Sequence, residues 1–194
     1  MSRMSLCGLG ILVGVGVVAF VATSRAGYET ARYETLVADG PFELRRYESL
    51  QVVTTSIDDE GQGSGFGRLF RYISGRNTTE QKIDMTTPVF MPGGSGGKAE
   101  EMQFVIPERV ASSGAPGPVD ENVRLGRMEG GIYAVLRFKG KAIAEQRRDR
   151  LDELRAILAG KGLEAEGEPI YAGYDPPWTP GLLRRNEVLL RVKR

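Results

Sequence analysis

The side chains that most often do chemistry are scarce in this sequence. Its 194 residues include no histidine and a single cysteine, Cys7. That removes Ser-His-Asp triads, Cys-His dyads, histidine-containing zinc sites and paired-cysteine redox motifs together. What remains is a bias toward arginine, with twenty Arg against six Lys. Arginine's planar fork grips carboxylates at two points, which suits an acidic ligand, although solvated surface arginines give the same composition. Gly61 to Gly67 is glycine-rich and opens a helix, the setting for a phosphate, but neither Gly61 nor Gly63 begins a complete GxGxxG. Gly97-Lys98 is followed by Ala99 where a phosphate loop needs Ser or Thr. Asp58-Asp59-Glu60 reads as a solvated acidic turn, since no EF-hand spacing follows it.

Lys and Arg number 26 against 25 Asp and Glu, a net charge of +1. Such a balance supplies no field to gather DNA or RNA, so nucleic acid is not an expected partner. Leu6 to Ala22 carries no charge and is bracketed by Arg3 and Arg25. Its length meets the lower bound of the ~17–25 residues that cross a bilayer, and it also exceeds many signal-peptide cores. Residues 1–27 are therefore expected to be a membrane anchor or an export signal, with Ser24-Arg25-Ala26 as a cleavage candidate. A domain of residues 28–194 follows, anchored to a membrane or exported, with Arg3 and Arg25 leaving its side of the membrane open.

Alternating apolar and polar residues predict strands at Arg32–Val37 and Phe42–Tyr47 around the turn Asp39-Gly40-Pro41, with Leu50–Ile57 continuing the hairpin. Phe66, Leu69, Phe70 and Ile73 share one face of a helix, and Gly75 stands where a left-handed cap is expected. Ile83–Met91 and Met102–Pro107 predict two more strands. A Pro- and Gly-rich connector, Ala111 to Pro118, leads to a strand pair, Val123–Glu129 and Ile132–Lys139, around Gly130-Gly131. Leu151, Leu154 and Leu158 mark the inner face of a second helix, stopped by Gly160 and Gly162, with Arg148/Asp152 and Asp152/Arg155 able to pair outside. Pro169–Tyr174 and Glu187–Val192 close the chain. Strand, strand, helix, strand, strand thus occurs twice, which predicts an α+β architecture of two similar halves.

Four strings in this order carry a resemblance. Phe42-Glu43-Leu44-Arg45-Arg46-Tyr47, Lys82-Ile83-Asp84-Met85-Thr86-Thr87-Pro88-Val89, Gly173-Tyr174-Asp175-Pro176-Pro177-Trp178 and Arg184-Arg185-Asn186-Glu187-Val188 resemble the motifs of the SOUL haem-binding family, from Tyr28 to Arg194. The resemblance implies a distorted, antiparallel-rich β-barrel of about eight strands flanked by two helices, built as two halves and shared with GyrI-like proteins. It also implies non-covalent binding of haem or another tetrapyrrole in a cleft beside the first helix, near the loop Tyr174–Pro180, and a carrier, buffer or sensor rather than an enzyme.

Some members of that family offer haem iron a histidine at the position that aligns with Arg46. A guanidinium has no free lone pair, so a haem here is held without imidazole. An apolar cleft with arginines on the propionates is the physical substitute. Phe66, Leu69, Phe70, Arg71, Tyr174 and Trp178 are the candidate contacts; Phe66, Leu69 and Phe70 also have the spacing of plain core, and Arg71 points away from them. Met85, Met91, Met102 and Met128 are possible thioether ligands with core packing as the alternative, and Tyr174 a possible phenolate. Two other functions compete. One is a binding module for another flat apolar molecule. The other is a GyrI-like hydrolase with Glu187 as a general base of raised pKa, unless Glu187 pairs with Arg184 or Arg185 as structure.

Overall fold

The computed structural model describes residues 27–57, 62–94, 96–176 and 178–193. The apolar run Leu6–Ala22 and the acidic turn Asp58–Glu60 lie outside the described residues. No described helix is long and apolar enough to cross a membrane.

In chain order the elements are β1 (Glu29–Thr30), β2 (Tyr33–Asp39), β3 (Phe42–Tyr47), β4 (Leu50–Ser56), α1 (Gln62–Ile73), β5 (Thr86–Thr87), β6 (Val89–Pro92), β7 (Glu101–Val105), α2 (Glu108–Ser113), β8 (Val123–Met128), β9 (Gly131–Lys139), α3 (Ala144–Gly160), β10 (Ala165–Gly173) and β11 (Arg185–Val192), with a 3-10 turn at Gly181–Leu183. Nine strands form one sheet in the order β2-β3-β9-β11-β10-β6-β7-β4-β8, antiparallel throughout. β1 and β5 form a separate parallel pair. Exchanging β3, β4, β6 and β7 with β8, β9, β10 and β11 reverses the order of their eight strands. The two expected halves are therefore related by a pseudo-twofold axis between β6 and β10.

Two of the expected pairings differ, while β2–β3 and β6–β7 form as expected. β3 pairs with β2 and β9, not with β4, and β8 pairs with β4, not with β9. Both short connections cross from one half of the sheet to the other. They meet where they cross: a Cβ on Gly130 would lie 2.9 Å from the Ser49 nitrogen, so only glycine fits there. The Gly130-Gly131 signal marks this close approach rather than a hairpin turn.

Strand alternation gives the sheet two apolar faces. Phe42, Ala134, Leu136, Val188 and Leu190 join Leu69, Leu151, Leu154 and Leu158 in the helix-covered core. Tyr47, Phe90, Tyr133, Val135, Tyr174 and Leu189 fill the opposite, concave face. Gly75 has the expected positive φ, +111°. On the outer side of α3, Arg155 pairs with Asp152 at 3.5 Å, while Arg148 lies toward Asp149 instead.

Three expectations need correction. The described chain has eleven strands, and the sheet is left open with β2 and β8 as its edges, so the barrel is incomplete. The expected strand Ile83–Met91 is split into β5 and β6 by Pro88, which has no N–H to donate. A third helix, α2, occupies part of the expected connector; the Pro107 carbonyl accepts from the Val110 and Ala111 N–H groups at 2.9 Å, and one turn and a half is too short for a periodicity to show. Leu154 is wholly inside the helix-side core. Leu154→Ala is expected to cost about 2–5 kcal/mol in urea unfolding, whereas the exposed Arg155→Ala should change stability by less than about 0.5 kcal/mol.

Candidate functional site

On β3 the alternation that buries Phe42 and Leu44 toward the helices turns Glu43, Arg45 and Tyr47 to the concave face. Arg45 has no exposed surface. Its Nη1 and Nη2 donate to the two oxygens of Glu187 on β11 at 2.7 and 3.0 Å, and its Nε donates to Glu43 at 2.7 Å. The Tyr33 ring lies 4.2 Å beneath the guanidinium. Glu187 also accepts from Arg185 Nη2 at 2.5 Å and from the Tyr174 hydroxyl at 2.8 Å. Arg185 in turn stacks 4.1 Å over the Tyr174 ring. Arg137 completes the set by pairing with Glu43 at 3.2 Å.

Burial by itself pushes the Glu187 carboxyl up, but Arg45 and Arg185 outweigh it and hold the group below its ordinary value of 4.5. A hydrolase base needs the opposite shift. Glu187 is a saturated structural carboxylate paired, as expected, with Arg185; Arg184 instead donates to the Thr179 carbonyl at 2.8 Å. Burial and the neighbouring Glu187 raise Tyr174 well above the normal phenol range. With its proton directed at Glu187, Tyr174 is not a phenolate waiting for iron.

The six candidate contacts do not converge. Leu69 is fully buried in the helix-side core, and Tyr174 belongs to the cluster on the opposite face of the sheet. Phe66 is partly buried, packed edge-on against Phe104 at 5.2 Å and stacked on Phe70 at 5.9 Å. Phe70 is 49% exposed. Arg71 reaches Asp120 at 3.8 Å on the surface. Trp178 is 78% exposed. Of the four methionines, Met91, Met102 and Met128 are buried and Met85 packs against the core.

Three of the cavities among the described residues lie elsewhere. Two of them, about 410 and 470 Å³, share Glu166 and Arg191 and have strongly charged walls. The third, about 470 Å³, has a floor of Ala31, Tyr33, Leu50, Val105, Ile106 and Ala111. Arg32 and Arg46 stand on its rim. Arg32 pairs with Glu108 at 2.7 Å and Arg46 with Glu34, all on the surface. Sequence reasoning missed this cavity because its walls come from β1 and β2, the β3–β4 corner and the β7–α2 junction, and only the strand crossing brings these together. It missed Arg45 because a charge at an inward strand position is visible only once its partner strand is known.

Taken together, these features define a duplicated α+β domain with a buried Arg45–Glu187–Glu43 network and a peripheral apolar cavity. The family described as SOUL heme-binding protein matches residues 28–191. The chain belongs to that family. It is 33% identical over 165 residues to "Heme-binding protein 2" of Homo sapiens, covering 79% of each. Among solved structures it is similar to EcmrR in a cryo-EM EcmrR–DNA complex (TM-score 0.60, 12% identity), covering 79% of this chain and 57% of that one. It is also similar to a hydrolase from Listeria innocua (TM-score 0.53, 12% identity, 81% and 94% covered). At such identities the structures establish a shared fold.

Glu187 titrates lower in the folded chain than in the unfolded one. Its stabilisation is therefore complete above the ordinary carboxylate range and is lost as pH falls through that range and down through the lower folded value. Removing one partner of a buried pair strands the other. Glu187→Gln is expected to cost about 3–5 kcal/mol at pH 7 and to flatten the acid limb of the stability curve. An acid limb as steep as that of the parent protein in urea titrations would contradict this.

Proposed function

We propose that this domain binds haem or a related tetrapyrrole non-covalently and works as a carrier, buffer or sensor rather than by catalysis. The observation that supports it best is the third cavity: an apolar floor with two arginines on its rim. Its 470 Å³ lies within the ~300–1,000 Å³ usual for small-molecule sites. Exposed ion pairs are worth only about 0–1 kcal/mol, so Arg32 and Arg46 can exchange Glu108 and Glu34 for propionates at little cost. Arg46 is also the position that aligns with the axial histidine of some family members. The macrocycle's face would rest on Tyr33, Leu50 and Ile106, and its acids would meet the arginines. Relatives named heme-binding proteins, in Homo sapiens and in Xenopus laevis, support the ligand class. In the same reading, residues 6–22 hold the domain at a membrane.

Titration of the purified protein with haemin is expected to give a saturable Soret change at micromolar concentration. Metal-free protoporphyrin should bind comparably, because no imidazole contributes. Replacing Arg32 and Arg46 with Ala should weaken binding about tenfold or more, the 1.4 kcal/mol scale of a charge-assisted hydrogen bond. No change in that variant, with loss of binding in Phe70→Ser, would move the ligand to the α1 side. No spectral change at all would remove the tetrapyrrole reading.

A further inference from the structure

Arg45 and Arg147 are the buried arginines among the described residues, and their surroundings differ. Arg45 has Glu187 and Glu43 as partners. Arg147, on α3 and 5% exposed, has neutral neighbours alone. Its Nη2 donates to the Met91 sulfur at 3.5 Å, its guanidinium lies 5.2 Å over the Tyr171 ring, and its Nε finds no acceptor among the described residues. With its carboxamide turned to satisfy both sides, Gln62 accepts through its oxygen from Nη1 at 3.0 Å and Nη2 at 3.1 Å. Burial works against the charge of both arginines; Glu187 outweighs it at Arg45, whereas at Arg147 burial prevails and lowers the group below its ordinary value. A buried cation is normally met by an anion, because its desolvation is otherwise left uncompensated.

The two glycine-rich stretches whose sequences fall short of phosphate-loop motifs meet at this side chain. One opens α1, whose first residue is Gln62. The other joins β6 to β7. The Tyr171 hydroxyl donates to its Gly94 carbonyl at 3.3 Å, and Gly97 packs on the first turn of α3, where an added Cβ would lie 2.1 Å from the Ala144 carbonyl oxygen and 3.1 Å from the Arg148 nitrogen. Gly63 and Gly96 are exposed, and a Cβ on either would meet nothing within 4 Å, so space remains beside both.

Gln62 is exposed and stands at the positive end of the α1 dipole, where negative charge is favoured. Its carboxamide oxygen takes the two-point position on Arg147 that an oxygen of an anion would take. Swinging that side chain into water gives up one neutral acceptor and opens the edge of the guanidinium. An anion arriving there gains charge-assisted hydrogen bonds that Gln62 does not supply.

We propose that Arg147 is the floor of a binding site for a phosphate group, which displaces the Gln62 carboxamide and accepts from Nη1 and Nη2. A guanidinium beside a helix start suits phosphate, which offers an oxygen to each. The site shares no lining residue with the cavity beside Arg46 and stands apart from the tetrapyrrole reading. The test titrates inorganic phosphate and glycerol phosphate into the haem-free, full-length protein at fixed ionic strength, by calorimetry and by thermal unfolding. One saturable site is expected, with Tm raised by roughly 3–6 °C at ten times the dissociation constant. Tighter binding of the ester would assign the phosphate to a carried group, and tighter binding of inorganic phosphate to the free ion; either supports the site. Gln62→Ala should respond at least as strongly. Gln62→Glu sets a carboxylate on Arg147, and should raise Tm without phosphate while weakening phosphate binding about tenfold or more. Arg147→Met should lose the response.

An equal rise in Tm for the parent and all three variants would be the general stabilisation that phosphate gives any folded protein, and would overturn the site. So would the absence of a saturable phase. A response that emerges only when Asp58, Asp59 and Glu60 are replaced by their amides would mean that the chain's own acids hold Arg147, which also overturns it. Should Arg147→Met fail to fold, Gln62→Glu decides: phosphate binding as tight as in the parent protein sinks the proposal.

Discussion

The two-point contact between Arg45 and Glu187 is the constraint around which this fold is arranged. Arg45 is on β3, in the first half of the chain, and Glu187 on β11, in the second, with β9 between them in the sheet. Neither side chain reaches water. An ion pair in such a position is weak evidence for extra stability, because desolvation offsets most of its attraction, but losing either member leaves a charge with nowhere to go. A one-residue slip of β3 on β9 would point Arg45 into the helix-side core and leave Glu187 without it. The pair therefore ties the register of one half to that of the other.

That coupling matters because the halves interpenetrate. The β3–β4 and β8–β9 connections exchange sides, and they approach each other at Ser49 and Gly130. Neither half is a sheet by itself; each lends its opening strand to the other. The concave surface this creates is filled by Tyr47, Phe90, Tyr133 and the Arg45 network. Tyr47 meets Phe90 and Tyr133 edge-on at 6.4 and 5.6 Å. With that space taken by the protein's own side chains, the apolar cavity beside Arg46 forms at the rim, where the edge strand β2 and the short helix α2 fail to close over the sheet.

How much of this could be read from the residues follows the range of the interactions. Local periodicities placed α1, α3 and most strands, because the 3.6- and 2-residue repeats of Leu151, Leu154 and Leu158, or of Phe42 and Leu44, are set by the core they face. The FELRRY, GYDPP and RRNEV strings gave the family and hence the duplicated architecture, which the strand order bears out. The strand partners were not legible. Gly130-Gly131 reads as a turn by its composition, and nothing nearby in sequence reveals that Ser49 presses against it. The candidate site suffered for the same reason: Phe66, Leu69 and Phe70 are adjacent by spacing, yet Leu69 faces the core and Phe70 faces solvent. The cavity depends on three stretches far apart in sequence.

The chemistry available to this chain follows from where its charges lie. The most enclosed carboxylate, Glu187, is saturated by Arg45, Arg185 and Tyr174, and so ties β11 to β3 and to the Tyr174 loop. The ion-paired arginines able to change partners are those at the surface, and two of these, Arg32 and Arg46, border the apolar cavity while paired to the exposed Glu108 and the half-buried Glu34. An exchangeable charged rim is what the proposed recognition by shape and carboxylate pairing needs, since a ligand's acids would replace existing partners and no new charge would have to be buried. A site of the kind proposed would distinguish ligands by flatness, apolar area and the spacing of their acids rather than by the metal they carry.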